Sequence, residues 1–189
     1  MTTIKGVTYN EDGSVVSCLF CRICNKTEPA DILFSNDDYV VFKNINPVTK
    51  NHVLVAPRRH IKNFKDLSGD TGAAVLRDMM EVFRRLYVWS VLISRAHMSI
   101  ILQVGKIALK TKSDEADNLL QCFHDPPINS IDHLHLHCIQ DPQKMSWINY
   151  LKYYADSYWC ITGETAAHLV AAKAQYDLAN SRGSWPVGR

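Results

Sequence analysis

Three histidines at alternate positions, His133, His135 and His137, are the residues of this chain best suited to chemistry. Successive side chains of a β-strand point to opposite faces, so this spacing places the three imidazoles on one face, at steps of about 6.5–7 Å. Each ring is neutral or charged near pH 7, which suits nucleophilic attack, proton transfer or metal ligation. Leu134 and Leu136 then point the other way, into a core. The alternative is a zinc-binding or merely polar strand without catalysis.

A metal ion is also suggested by Cys18 and Cys21, which have the spacing of a zinc knuckle. By itself this pair is weak evidence. The chain has six cysteines at irregular spacing. Residues 1–17 contain no apolar run typical of a secretion signal, so we expect a cytoplasmic and/or nuclear protein whose cysteines are thiols or metal ligands.

The composition indicates a single domain and gives no electrostatic argument for a nucleic-acid partner. The 189 residues are 47% hydrophobic, which is enough to bury a single core. A net charge of +2 gives no electrostatic signal for nucleic acid. We predict a disordered lead-in over 1–17, the folded domain over 18–180 and a loose tail over 181–189.

The elements that position the histidines are predicted from hydrophobic periodicity. Strand-like runs cover 31–35, 38–43 and 52–57, a short run covers 118–123, and the histidine strand covers roughly 131–139. Helices are predicted over 147–154 and 164–178. A further helix starts at an N-cap formed by Asp70 or Thr71. Its apolar stripe consists of Val75, Leu76, Met79, Met80, Phe83 and Leu86.

The segment 87–105 is long and apolar. Arg95 and His97 lie at its middle, where a charged residue costs about 2.5–3.5 kcal/mol in a membrane. We therefore favour a buried or partner-facing helix over a membrane-spanning one. A surface-exposed insertion is the third alternative.

Six segments, taken with the triad, match the pattern of a known family: 18–23, 41–47, 52–61, 123–127, 130–132 and 157–162. With these segments the chain resembles the histidine-triad superfamily of nucleotide hydrolases and transferases, and within it the Hint branch. The resemblance implies an α+β fold with an antiparallel five-stranded sheet and packed helices. It also implies hydrolysis of a nucleoside monophosphate joined to an amine, and hence a purine nucleotide substrate such as an AMP conjugate. A homodimer is implied as well, whereas an organic cofactor is not.

The resemblance assigns the catalytic roles. His135 is the nucleophile that forms a covalent nucleotidyl-histidine, which splits one displacement into two easier ones. His137 donates to phosphoryl oxygens where charge develops. Ser130 helps to deliver a proton to the departing amine. His52 matches a fourth histidine that supports the triad, and its alternative role is that of a hydrogen-bonded core residue.

The nucleotide pocket and the metal site are carried over in the same way. The ribose is assigned to Asn44, where the family usually has aspartate, and Asn129 is assigned to the same pocket. An amide gives up the charge-assisted part of that hydrogen bond, so we predict weaker nucleoside binding. The base is assigned to apolar residues that could equally be ordinary core: Leu19, Phe20, Ile23 and Ile45. The structural zinc is assigned to two thiols and two imidazoles, with unmetallated packing as the alternative: Cys18, Cys21, His60 and His133.

Two further departures from the family pattern bear on function. Cys122 replaces a usual glycine, and it is strained by about 1–2 kcal/mol if that glycine has a positive φ. The stretch 87–105 looks like an insertion into the helix after His60. Together with Asn44, both features support a rival function, a nucleotide sensor with slow turnover. The other rivals are an aprataxin-like enzyme that removes adenylate from nucleic-acid ends, for which no basic cluster is present, and a dinucleoside polyphosphate hydrolase.

Overall fold

The computed structural model describes residues 1–95 and 118–181. Its central element is an antiparallel six-stranded sheet in the order β4-β5-β6-β8-β7-β9. The strands are β1 Thr2–Ile4, β2 Val7–Tyr9, β3 Val15–Cys18, β4 Ile32–Ser35, β5 Tyr39–Lys43, β6 His52–Pro57, β7 Leu119–His124, β8 Leu136–Gln140 and β9 Cys160–Thr162. The helices are α1 Leu19–Cys24, α2 Gly69–Arg95, α3 Trp147–Lys152 and α4 Gly163–Ser181.

The α+β class is confirmed, but the sheet has six strands where five were predicted. The additional strand is β9, which pairs with β7 at the edge of the sheet. It is only three residues long, which is too short for alternation to mark it in the sequence. Its pairing with β7 therefore comes from tertiary packing rather than from a local signal.

The two faces of the sheet have different partners. On β6, Val53 and Val55 belong to the core formed with α2 and α4, whereas Leu54 belongs to a second core with α1. His52 has the parity of Leu54, and His137 pairs with Leu54 in the register of β6 and β8. The catalytic face is therefore the one opposite to the two long helices.

Helix α2 buries the predicted stripe, with Leu76 and Met79 both 0% exposed. It begins at Gly69, so Asp70 and Thr71 lie inside the helix and the prediction that one of them is the N-cap is wrong. Residues 87–95 of the predicted insertion belong to this helix, and 96–105 lie outside the described residues. Within the described part of the chain, no helix has the length and apolarity to cross a membrane.

The prediction of a disordered lead-in over 1–17 is wrong. Strands β1, β2 and β3 form a small antiparallel sheet in this segment. Gly6 and Gly13 have φ of +69° and +82°, which lets the chain reverse between the strands. The polar composition of the segment gave no sign of this sheet, because the sheet is stabilised by contacts with a distant loop. Residues 182–189, most of the predicted tail, lie outside the described residues.

The histidine segment is only partly a strand. β8 begins at Leu136, so His133 and His135 precede it, although Leu134 N–H donates to the Ile61 carbonyl at 2.6 Å. Leu134 and Leu136 are buried in the helix-side core, as predicted. Cys122 lies in β7, pairs with His137 and is not among the residues with positive φ. The backbone strain that was predicted for a positive φ at this position therefore does not arise.

Candidate active site and metal site

His135 has one ring nitrogen fixed by the backbone. Its Nδ1 lies 2.6 Å from the carbonyl oxygen of His133. A carbonyl only accepts, so Nδ1 carries the proton and Nε2 keeps its lone pair. Burial lowers the pKa of His135, against the opposing effect of that hydrogen bond. The ring is therefore held as a neutral imidazole, the form that attacks phosphorus.

His52 and His137 form a hydrogen-bonded pair on the same face. Val48 N–H donates to Nδ1 of His52 at 3.2 Å, so the proton of His52 is on Nε2. That Nε2 lies 2.9 Å from Nδ1 of His137 and donates to it. Nε2 of His137 must then carry that ring's proton. It is buried and has no hydrogen-bond partner within the described part of the chain, so it presents a free N–H donor on the catalytic face.

Burial keeps this pair uncharged near neutral pH. It lowers the pKa of His52 to about 4, with Lys152 and His135 adding smaller effects in the same direction. It also lowers the pKa of His137 to well below the usual range, and His135 is the next largest cause. Both nitrogens of His52 are bonded, so His52 is a satisfied buried histidine that also orients His137.

The residues assigned to the nucleotide do not all converge. Phe20 packs edge-on against His135, with ring centroids 5.1 Å apart, and Ile23 is buried beside it in the same cluster. Leu19 is only partly buried against that cluster. Ile45 is 91% exposed and is not brought to it. Asn44 lies against the catalytic pair, with Nδ2 3.1 Å from Nε2 of His52.

The loop before the triad is anchored by Asn129. This buried side chain accepts from Nζ of Lys5 at 2.6 Å and donates to Oδ1 of Asp132 at 3.0 Å and to the Ile131 carbonyl. Its polar atoms are therefore occupied by the protein. Ser130, its neighbour, is exposed on the same loop. The structure brings Asn129 close to the site as a loop anchor and leaves Ser130 open to solvent.

Sequence reasoning missed two residues of the site. His124, at the end of β7, is 6% exposed, and its ring centroid lies 4.5 Å from that of His137. Tyr153, just after α3, packs against His52, His124 and His137 at 5.6, 4.8 and 5.3 Å. His124 stood in a matching segment without an assigned role. No sequence signal marked Tyr153, because α3 carries no recognisable chemistry.

All four predicted metal ligands lie close together. The ligand atoms of Cys18, Cys21, His60 and His133 all lie within 4.8 Å of one another. The sulfur–nitrogen distances are 3.4 to 3.5 Å, and the edge of a tetrahedral zinc site with these ligands is about 3.5 Å. Nε2 of His133 donates to the Pro57 carbonyl at 2.9 Å, which leaves Nδ1 unprotonated and facing the sulfurs. The set therefore fits a tetrahedral metal ion.

The sheet is antiparallel, it carries a His-x-His-x-His segment, and a fourth histidine lies on the adjacent strand. This combination is typical of a class of nucleotide-binding proteins. A family profile described as "Scavenger mRNA decapping enzyme C-term binding" matches residues 17–91. The chain is 34% identical over 167 residues to the adenosine 5'-monophosphoramidase HINT3 of Xenopus tropicalis, covering 87% of this chain and 94% of that protein. The chain belongs to the histidine-triad family.

Two further relatives agree with the predicted Hint branch. HINT3 of Mus musculus is 32% identical over 158 residues, covering 82% of this chain and 80% of that protein. HINT4 of Arabidopsis thaliana, named a bifunctional adenosine 5'-phosphosulfate phosphorylase/adenylylsulfatase, is 29% identical over 132 residues, covering 69% and 75%. The predicted family is thereby confirmed.

Proposed function

We propose that this protein hydrolyses the phosphorus–nitrogen bond of nucleoside phosphoramidates, in the manner of an adenosine 5'-monophosphoramidase. The observation that carries the proposal is the hydrogen bond from Nδ1 of His135 to the His133 carbonyl, which leaves a neutral, unprotonated Nε2. The names of the two HINT3 relatives support the same activity.

The reaction proceeds in two displacements. Nε2 of His135 attacks the α-phosphorus and the phosphorus–nitrogen bond breaks. The Ser130 hydroxyl, which is open to solvent, donates a proton to the departing amine and is reprotonated by water. Water then displaces His135 from the nucleotidyl-histidine and releases the nucleoside monophosphate. His137 donates its free Nε2–H to a phosphoryl oxygen as negative charge grows. His52 keeps that ring in the donating tautomer.

The test is turnover of adenosine phosphoramidate by the purified protein, followed as AMP release, with mass spectrometry for an adenylate adduct. Wild type should release AMP and form the adduct, and His135→Ala should lose both. His168→Ala, which changes an exposed histidine on α4, is the matched control. AMP release by His135→Ala would contradict the mechanism. A folded, nucleotide-binding wild type that released no AMP would favour the sensor, and release only from adenylated nucleic-acid ends would favour the aprataxin-like activity.

We also propose that Cys18, Cys21, His60 and His133 hold a structural zinc ion. Zinc would supply a cross-link between segments that are distant in the chain, and it takes no part in the displacement. Metal analysis should find one zinc per chain, lost in Cys21→Ser and retained in Cys24→Ser, because Cys24 lies outside the cluster. Chelation should lower the free energy of unfolding by about 4 kcal/mol if zinc had been present at about 1,000 times its Kd. Equal metal content in the two variants would contradict the site.

The homodimer and the cytoplasmic and/or nuclear location stay predictions. Size-exclusion chromatography with light scattering measures the first. Imaging of the protein in intact cells measures the second.

A further inference from the structure

His124 lies on the catalytic face, directly beside the triad. β7 pairs Cys122 with His137, so two residues further along β7 the side chain of His124 faces that of His135. The ring centroids of His124 and His137 are 4.5 Å apart. His124 and His135 also line one small cleft, together with Lys62 and Asn63.

The hydrogen-bonding state of His124 distinguishes it from a packing residue. Its Nε2 is buried and has no hydrogen-bond partner among residues 1–95 and 118–181. Buried polar atoms are almost always paired, so an unpaired one in a cleft points to a group that the protein alone does not provide. Nε2 of His137 is in the same condition. Two unpaired imidazole nitrogens therefore lie on the same face of the sheet as the proposed nucleophile.

The surroundings favour an anionic group in that cleft. Lys62 is one of the residues that line it, and its Nζ lies 3.8 Å from the carboxylate of Asp132. Tyr153 packs on the far side of both imidazoles, at 4.8 Å from His124 and 5.3 Å from His137. This aromatic wall holds the two rings in place.

We propose that His124 is a second phosphoryl-binding residue, which donates Nε2–H to a non-bridging oxygen of the transferring phosphoryl group while His137 donates to another. The proposal rests on the phosphoramidase function. No proton is transferred by His124, because the donor keeps its hydrogen while the phosphorus passes through five-coordination. Both donors become more effective as charge accumulates on the oxygens.

The test compares His124→Gln with His124→Leu. Glutamine retains an amide N–H near the position of Nε2, whereas leucine removes the donor and preserves bulk. In His124→Leu, kcat for adenosine phosphoramidate should fall about 100- to 1,000-fold, as when one donor of an oxyanion hole is removed. In His124→Gln, at least tenfold of that loss should be recovered. AMP should bind more weakly to His124→Leu, and adenosine, which lacks the phosphate, should bind as it does to wild type.

His168→Ala is again the matched histidine control. Wild-type kcat in His124→Leu would overturn the proposal. So would equal losses of kcat in both variants accompanied by weaker adenosine binding, because that pattern is expected of a packing residue. If the wild type itself released no AMP, the phosphoramidase function would fail. The AMP and adenosine affinities would still decide whether His124 binds the phosphoryl group.

Discussion

At the scale of single residues, the three triad imidazoles differ in which ring nitrogen is hydrogen-bonded and in the partner of that nitrogen. His133 donates through Nε2 to the Pro57 carbonyl, and His135 donates through Nδ1 to the His133 carbonyl. His137 accepts through Nδ1 from His52. His133 and His137 therefore carry their proton on Nε2, whereas His135 carries it on Nδ1. As a result, one pattern in the sequence supplies a candidate metal ligand, the proposed nucleophile and the proposed donor.

Asn44→Asp is expected to lower KM for adenosine phosphoramidate by about three- to tenfold. A carboxylate accepts charge-assisted hydrogen bonds from ribose hydroxyls, and these are worth about 1.5–3 kcal/mol against about 1 for a neutral acceptor. The turn should survive, because a carboxylate oxygen can still accept the Asn46 N–H, now bound to Oδ1 of Asn44 at 3.0 Å. Steady-state kinetics measure the change, with Asn44→Ala as the control. An unchanged KM in Asn44→Asp would mean that residue 44 does not contact the ribose.

Most residues of the site could be predicted at this scale, but the orientations of their side chains could not. The triad, His52 and the four metal ligands follow from residue types and order in a family pattern. Ile45 and Ser130 have the expected types, yet they are exposed, because sequence order does not determine how a loop turns its side chains. His124 gave too weak a signal, since its role depends on the register between β7 and β8.

At the scale of elements, the N-terminal sheet formed by β1, β2 and β3 is joined to the loop before the triad. Nζ of Lys5 donates to the carbonyl of Pro127 at 2.5 Å and to Oδ1 of Asn129 at 2.6 Å. The Lys5 carbonyl accepts the N–H of Asp132. The hairpin therefore fixes the segment that leads into His133.

Gly6→Ala should lower the free energy of unfolding more than Gly13→Ala does. Both glycines have positive φ, so alanine costs about 1–2 kcal/mol at either position. A Cβ at Gly6 would also lie 2.7 Å from Cδ1 of Ile131, and moving that side chain off its rotamer adds about 0.5–1.5 kcal/mol. Within residues 1–95 and 118–181, chain neighbours aside, no atom lies within 4 Å of a Cβ added at Gly13. Urea denaturation measures the difference, and equal losses would show that the hairpin does not press on the loop.

Helices and strands were predictable where their hydrophobic pattern extends over many residues. The stripe on α2 and the strand over His52–Pro57 were correctly predicted because many residues repeat the same pattern. β9 and the N-terminal strands have three or four residues each, and their pairing partners decide their conformation. Local propensity is too weak at such lengths to compete with polar composition.

At the scale of the whole molecule, burial of neutral histidines should make stability fall in acid. The folded-state pKa of His52 is lowered to about 4 and that of His124 to about 3, in both cases mainly by burial. The unfolded chain protonates these rings near pH 6.5, so their contribution is complete above that pH and is lost as the pH falls towards 4 and 3. Each histidine contributes a slope of up to about 1.4 kcal/mol per pH unit.

Urea denaturation between pH 7.5 and 4.5, with a chelator present to remove any metal contribution, measures this slope. His52→Gln should reduce it by one proton equivalent, and His168→Gln should leave it unchanged. A free energy of unfolding that stayed constant over this range would show that the buried imidazoles are already protonated in the folded protein.

The cluster that contains Cys18 and His133 has a consequence for chain connectivity. These two residues are 115 positions apart, and their side chains lie 3.4 Å from each other. With zinc bound as proposed, the backbone between them becomes a closed ring. One peptide-bond cut anywhere between residues 25 and 59 or between 61 and 132 would then leave two pieces that remain linked through the ion, in addition to the packing of the folded protein.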